Sequence, residues 1–198
     1  MEKQVLIALS REYGSGGHYI AEKIAKEFGL LLLDHNMLDH ISEERGVDLT
    51  GFKKYDESPK RPFVSRTVRG MSNSHEQNIA KIQFDYIKEK ADAGTSMMVV
   101  GRCAESVLKD HESLISIFVL GDMENKLQRI MEVRDMTESE AKKAIARHDF
   151  RRKAYHNSHS EGKWGDSRYY DICINSSRLG LDETAEYLKD YIRKRIAE

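Results

Sequence analysis

Residues 5–21 read VLIALSREYGSGGHYIA. An apolar run, Val5 to Leu9, gives way to a polar, glycine-rich turn over residues 10–17, and a helix pattern follows at once. Strand, glycine loop and helix together present backbone N–H groups and a helix N-terminus to a phosphate. Gly14, Ser15, Gly16, Gly17 and His18 form the candidate cradle, because glycine lets the backbone approach an anion closely. The loop departs from the phosphate-loop pattern G-x-x-x-x-G-K-[ST] in three places. With Gly16 as the second glycine, Arg11 stands at the first glycine, Gly17 at the lysine and His18 at the hydroxyl position. The architecture is present and its lysine is missing.

Outward from the loop, residues 19–28 carry Ile20, Ile24 and Phe28 at helical spacing, with Gly29 closing the helix. Residues 30–33 form an apolar run of four, short enough to predict a strand buried on both faces. Residues 35–45 predict a short helix stopped by Gly46. Residues 47–73 carry no pattern, hold both prolines, and predict a functional loop. A helix over residues 74–93 opens on Ser74-His75-Glu76-Gln77, a capping-box pattern. Apolar runs at 97–100 and 114–120 predict two more strands, with helices from Met123 to Arg134 and from Thr137 to about His156. The last strand falls at 170–175, and Asp182 is expected to cap a final helix.

Five short strands alternating with helices predict an α/β fold, a five-stranded parallel sheet with helices on both faces. Ligands of such sheets bind at the carboxyl ends of the strands. Here those ends read Ser10-Arg11-Glu12, Asp34-His35-Asn36, Gly101-Arg102, Gly121-Asp122 and Asn175-Ser176.

The 198 residues carry 39% apolar and 33% charged side chains and a net charge of −1, which suits one soluble domain and argues against duplex nucleic acid or a membrane as partner. Cys103 and Cys173 stand far apart, as reduced thiols of a cytoplasmic protein would. His156 and His159 are three apart and His35 and His40 five apart, but no carboxylate or cysteine spacing completes either pair, so no metal site is expected.

With these elements in place, the sequence resembles the cytidylate kinase-like family of P-loop nucleoside monophosphate kinase relatives. The resemblance rests on ALSREYGSGGHYIA at 8–21, LLLD at 31–34, VVGRCAE at 99–105, RHDFRRKAY at 147–155 and YDICINSS at 170–177, in that order. It implies a single kinase-like domain over 1–198, with an acceptor-binding insertion at 35–95 and a helical, arginine-bearing lid at 135–168. It also implies transfer of the ATP γ-phosphoryl group to a nucleoside monophosphate of the CMP or dCMP type, with Mg²⁺.

Phosphoryl transfer asks a protein for positioning, charge neutralisation and exclusion of water. Arg11 or a lid arginine is expected to replace the missing lysine, although a planar guanidinium is no geometric copy of an ammonium. Arg147, Arg151 and Arg152 lie within six residues and suit a phosphate clamp, or equally a solvated helix face paired with Asp149. Arg168 is a weaker fourth candidate. By the resemblance Arg102 binds the acceptor phosphate; a helix-start pair with Glu105 is the plainer use. Asp34 suits either the acceptor or the cap of the next helix. Arg66, with Arg69, is a further candidate for the acceptor phosphate. Two other functions fit the same residues: a phosphate-binding module that no longer transfers, and a kinase of a non-nucleotide alcohol.

Overall fold

A computed structural model describes residues 3–58, 67–68, 71–72 and 74–197. In chain order the elements begin β1 (Leu6–Arg11), α1 (Gly17–Glu27), β2 (Leu31–Leu33) and α2 (Met37–Arg45). A 3-10 turn at Thr50–Tyr55 and two short strands, β3 (Thr67–Val68) and β4 (Met71–Ser72), lead to α3 (His75–Asp92). Then come β5 (Met97–Val100), α4 (Ala104–Val107), β6 (Leu114–Leu120), α5 (Met123–Arg134) and α6 (Glu138–His159). The chain closes with β7 (Ile172–Asn175), α7 (Ser176–Leu179) and α8 (Leu181–Ala197).

The main sheet is five-stranded and parallel throughout, in the order β2-β5-β1-β6-β7. The expected strand at residues 30–33 exists, but as the edge strand β2. Leu31 and Leu32 are therefore only partly covered, and Leu33 alone is fully buried. Central β1 pairs Leu6 with Met97 of β5 on one side and with Leu114 of β6 on the other.

Side chains alternate across a strand, so β1 feeds two cores. Ile7 and Leu9 pack with Ile20, Ala21 and Ile24 of α1 and with Ala185, Leu188 and Ile192 of α8. Leu6 and Ala8 face the opposite layer, with Met37 and Ile41 of α2 and Tyr86 and Ile87 of α3. Truncating one of these fully buried side chains, Ile24→Ala for example, costs about 2–5 kcal/mol.

Helix boundaries follow local chemistry. Ser74 accepts a hydrogen bond from the Gln77 N–H at 3.4 Å, and Thr137 forms a reciprocal capping box with Glu140. Asp182 is not the cap of α8; the helix begins a residue earlier, and Asp182 instead accepts from the Tyr19 hydroxyl at 2.7 Å and pairs with Lys23 at 2.6 Å, tying α8 to α1. The segment expected to be irregular carries the 3-10 turn and the small β3–β4 pairing. None of the helices among the described residues is long and apolar enough to cross a membrane.

Candidate functional site

The carboxyl edge of the sheet holds a cleft of about 530 Å³ running from the glycine loop to the first turn after β5. Gly16 caps α1 with a φ of 77°, a left-handed conformation that favours glycine. The first intrahelical bond of α1 is Ile20 N–H to Gly16 O at 3.0 Å, so the N–H groups of the first helical turn have no intrahelical acceptor. Gly16, Gly17 and His18, at the start of this helix, line the cleft.

The missing lysine has a steric reason. A Cβ on Gly17 would lie 2.6 Å from Arg11 Cβ and 3.0 Å from Arg11 Cγ. The Arg11 stem therefore fills the space that a side chain at 17 would need. Its guanidinium runs on from the end of β1 to Glu57 and the turn at Gly101.

Arg11 does not stand alone. Its Nη1 lies 3.3 Å from Glu57 Oε1, Arg102 Nη1 lies 3.3 Å from the same oxygen, and Arg152 Nε lies 4.0 Å from Glu57 Oε2. Arg102 also pairs with Asp56 through Nη2 and donates to Val100 O at 3.1 Å. Arg152 further donates to Arg11 O at 3.4 Å. Three guanidiniums from β1, the β5–α4 turn and α6 thus converge on one carboxylate. At an effective dielectric of about 20, each such pair interacts by roughly 4–5 kcal/mol before desolvation is set against it.

Burial would raise the Glu57 carboxyl, but Arg11, Arg102 and Arg152 outweigh it and hold it at about 2. Arg152 is pulled down to about 10 by burial and by Arg11, and remains charged at neutral pH. Arg102 is only 2% exposed. Arg102 and Glu57 both adopt left-handed backbone, with φ of 55° and 48°, at about 1–3 kcal/mol of strain each. Strain of this kind concentrates at functional sites.

Helix α6 docks on the loop through further contacts. Tyr13 N–H donates to Asp149 Oδ1 at 2.6 Å, and the Tyr13 ring stacks on His148 with centroids 4.2 Å apart. Burial, together with the neighbouring arginines, lowers the His148 pKa and so favours the neutral form of the stacked ring. Lys126, 5% exposed under the loop, lies 2.9 Å from Glu12 Oε2 and 3.6 Å from Asp149 Oδ2. From the start of α7, Ser176 Oγ donates to Ser15 O at 2.7 Å.

The structure sorts the sequence candidates. Arg11, Arg102 and Arg152 come together with Gly14, Gly16, Gly17, His18 and Asp34 around the cleft. Ser15 is buried beneath the loop, its hydroxyl turned back to Glu12 O at 2.9 Å. Arg147 and Arg151 are exposed on α6 and do not join Arg152, because the buried stripe of Ala141, Ala144, Ile145 and Tyr155 turns them to solvent. Arg168 is exposed and paired with Asp166. Arg66 and Arg69 lie outside the described residues. Glu105 does not take Arg102; it lies 2.5 Å from His156 Nε2 in a buried pair between α4 and α6. His35 is not grouped with His40 but faces His18 across Asp34.

Sequence reasoning missed Asp56, Glu57 and Lys126, and also Arg129 and Arg134, which line the cleft from α5. A signal existed only for the last two, as cations on the helix that follows β6.

Compared with known proteins, residues 6–178 match the cytidylate kinase-like family. The chain belongs to that family. A protein of Eubacterium ventriosum ATCC 27560 is 34% identical, with a TM-score of 0.77, and the match covers 96% of this chain and 99% of that one. Shikimate kinase from Acinetobacter baumannii, in complex with shikimate, is 12% identical at a TM-score of 0.53, covering 98% and 95%. Shikimate kinase from Bacteroides thetaiotaomicron is 11% identical at 0.54, covering 96% and 98%. At these identities the likeness to the shikimate kinases is one of fold. No curated protein matches the sequence. Cytidylate kinase-like membership and a kinase fold make the chain a phosphotransferase of the kinase type.

Proposed function

We propose that this protein transfers the γ-phosphoryl group of ATP to a small phosphorylated acceptor, with a nucleoside monophosphate such as CMP as the first candidate. The reading rests above all on the convergence of Arg11, Arg102 and Arg152 on Glu57 beside the glycine loop. Three guanidiniums against the carboxylates of Asp56 and Glu57 leave one positive charge, and a phosphoryl group offers these forks more oxygens than a carboxylate does. Glu57 then stands where a phosphate goes, and nucleotide binding exchanges one anion for the other.

In this reading the loop amides and Arg11 hold the ATP phosphates, with Arg11 serving for the missing lysine. Arg102 holds the acceptor phosphate, and Arg152 bridges the two while α6 covers the loop. Fixed donors placed where charge develops act without reorganising, which is the main protein contribution to such a transfer. Mg²⁺ takes oxygen ligands in octahedral array. The side chains beside the loop's hydroxyl position are His18, Asp34 and His35, a mainly nitrogen set that does not fit Mg²⁺.

A coupled ADP-release screen over nucleoside monophosphates with Mg-ATP tests the proposal. Turnover with a nucleoside monophosphate is the expected result. ATP binding without turnover would overturn it in favour of a binding module, and turnover only with non-nucleotide alcohols would replace the acceptor class.

A further inference from the structure

We propose that His18, Asp34 and His35 form a binding site for a borderline divalent transition-metal ion of the Zn²⁺ class. The three come from two elements. His18 lies in the first turn of α1 directly after the glycine loop, and Asp34 and His35 follow β2. Asp34 Oδ2 lies 3.1 Å from His35 Nδ1 and 3.6 Å from His18 Nδ1, and one ligand atom from each residue lies within 4.8 Å of the other two. Around a tetrahedral ion with bonds of about 2.1 Å, ligand atoms sit roughly 3.4 Å apart. The carboxylate is therefore at coordination distance from both rings. Only the separation between the two exposed imidazoles has to close, by up to roughly 1.4 Å.

The site is built as well as clustered. The Asp34 side chain is 8% exposed, and its Oδ1 accepts the Asn36 N–H at 2.8 Å, which aims Oδ2 at the two ring nitrogens. On the far side of the His18 ring, Nε2 lies 3.3 Å from Glu22 Oε1. A carboxylate behind a ligating imidazole fixes its tautomer and raises its basicity, as metal-bound histidines commonly require. Two nitrogens and one oxygen favour Zn²⁺, Co²⁺ or Ni²⁺ over Mg²⁺. Three protein ligands leave a fourth position open to the cleft that Gly16, Gly17 and Arg102 line, the arrangement of a site that keeps room for water or a phosphate oxygen.

This inference stands on the donor geometry and not on the phosphotransferase reading, and it is tested without nucleotide. The full chain, stripped with chelator and dialysed, is titrated with Co²⁺ while the visible d–d bands are followed, and with Zn²⁺ by calorimetry. One equivalent should bind, with the intense visible bands of a low-coordinate centre, and a large excess of Mg²⁺ should not displace it. His18→Ala and His35→Ala should each weaken Zn²⁺ binding about 100-fold or more. Glu22→Gln should weaken it about 10- to 100-fold, and His40→Ala should leave it unchanged. Equal Zn²⁺ affinity in the His18→Ala/His35→Ala double variant, confirmed folded by circular dichroism, would overturn the assignment and leave Asp34 as a hydrogen-bond partner of two imidazoles. A kinase inactive toward every acceptor would leave the metal titration untouched.

Discussion

Arg11 and Gly17 share one volume: a Cβ at 17 would stand 2.6 Å from the Cβ of Arg11. The loop's first-glycine and lysine positions have in effect exchanged bulk, with a cation supplied from β1 instead of from α1. Gly17→Lys alone should therefore displace Arg11, destabilise the fold by about 1–3 kcal/mol and weaken ATP binding about tenfold. Adding Arg11→Gly should restore most of both. A double-mutant cycle on the ATP dissociation constant checks this, since exchange predicts strong coupling and independent sites predict additivity.

Arg102 is buried and two-pronged, holding Asp56 with one nitrogen and Glu57 with the other. Arg102→Lys keeps the charge but loses the fork. Acceptor KM should rise about 10- to 100-fold, with a smaller change in the KM for ATP, and steady-state kinetics at saturating ATP reads the difference. Equal effects on both substrates would take Arg102 away from the acceptor.

Glu57 also sets a pH dependence. Its folded pKa of about 2 lies below the usual 4.5. Its contribution, about 3 kcal/mol, is present above pH 4.5 and lost as pH falls toward 2. The stability difference between the wild type and Glu57→Gln should hold constant from pH 7 to 5 and shrink below 4.5. Urea denaturation across that range measures it.

Lys126 clamps the loop from below, between Glu12 and Asp149. Lys126→Met keeps the volume but leaves two carboxylates facing each other without their cation. A cost of about 3–5 kcal/mol follows, and the midpoint of thermal unfolding should drop by on the order of 10 °C. Calorimetric scans of the two proteins decide it.

The sheet was legible because each strand is a short apolar run bounded by a turn residue and followed by a helical period. The burial of β2 was misjudged, since an apolar run of four looks the same at an edge as in the centre, and strand order is a long-range property. Arg152 could be found from Ala141, Ile145 and His148, whose row it continues along the docked face of α6. Arg147 and Arg151 belong to the same charged run, and only the docking of the helix separates them from it. Asp56 and Glu57 were invisible, because they lie in an unpatterned segment and meet Arg102 across 45 or more residues. His18 and His35 were not paired for the same reason, as nothing local joins the first turn of α1 to the end of β2.

In the proposed function Arg11, Arg102 and Arg152 form a phosphate site that Glu57 occupies. The most direct measurement is the calorimetric dissociation constant of ATP for the wild type and for Glu57→Gln, which keeps the shape of the side chain and removes its charge. Binding should be at least tenfold tighter in the variant, about 1.4 kcal/mol, because the nucleotide no longer displaces an anion. Equal or weaker binding would contradict it and make the cluster a structural ion pair.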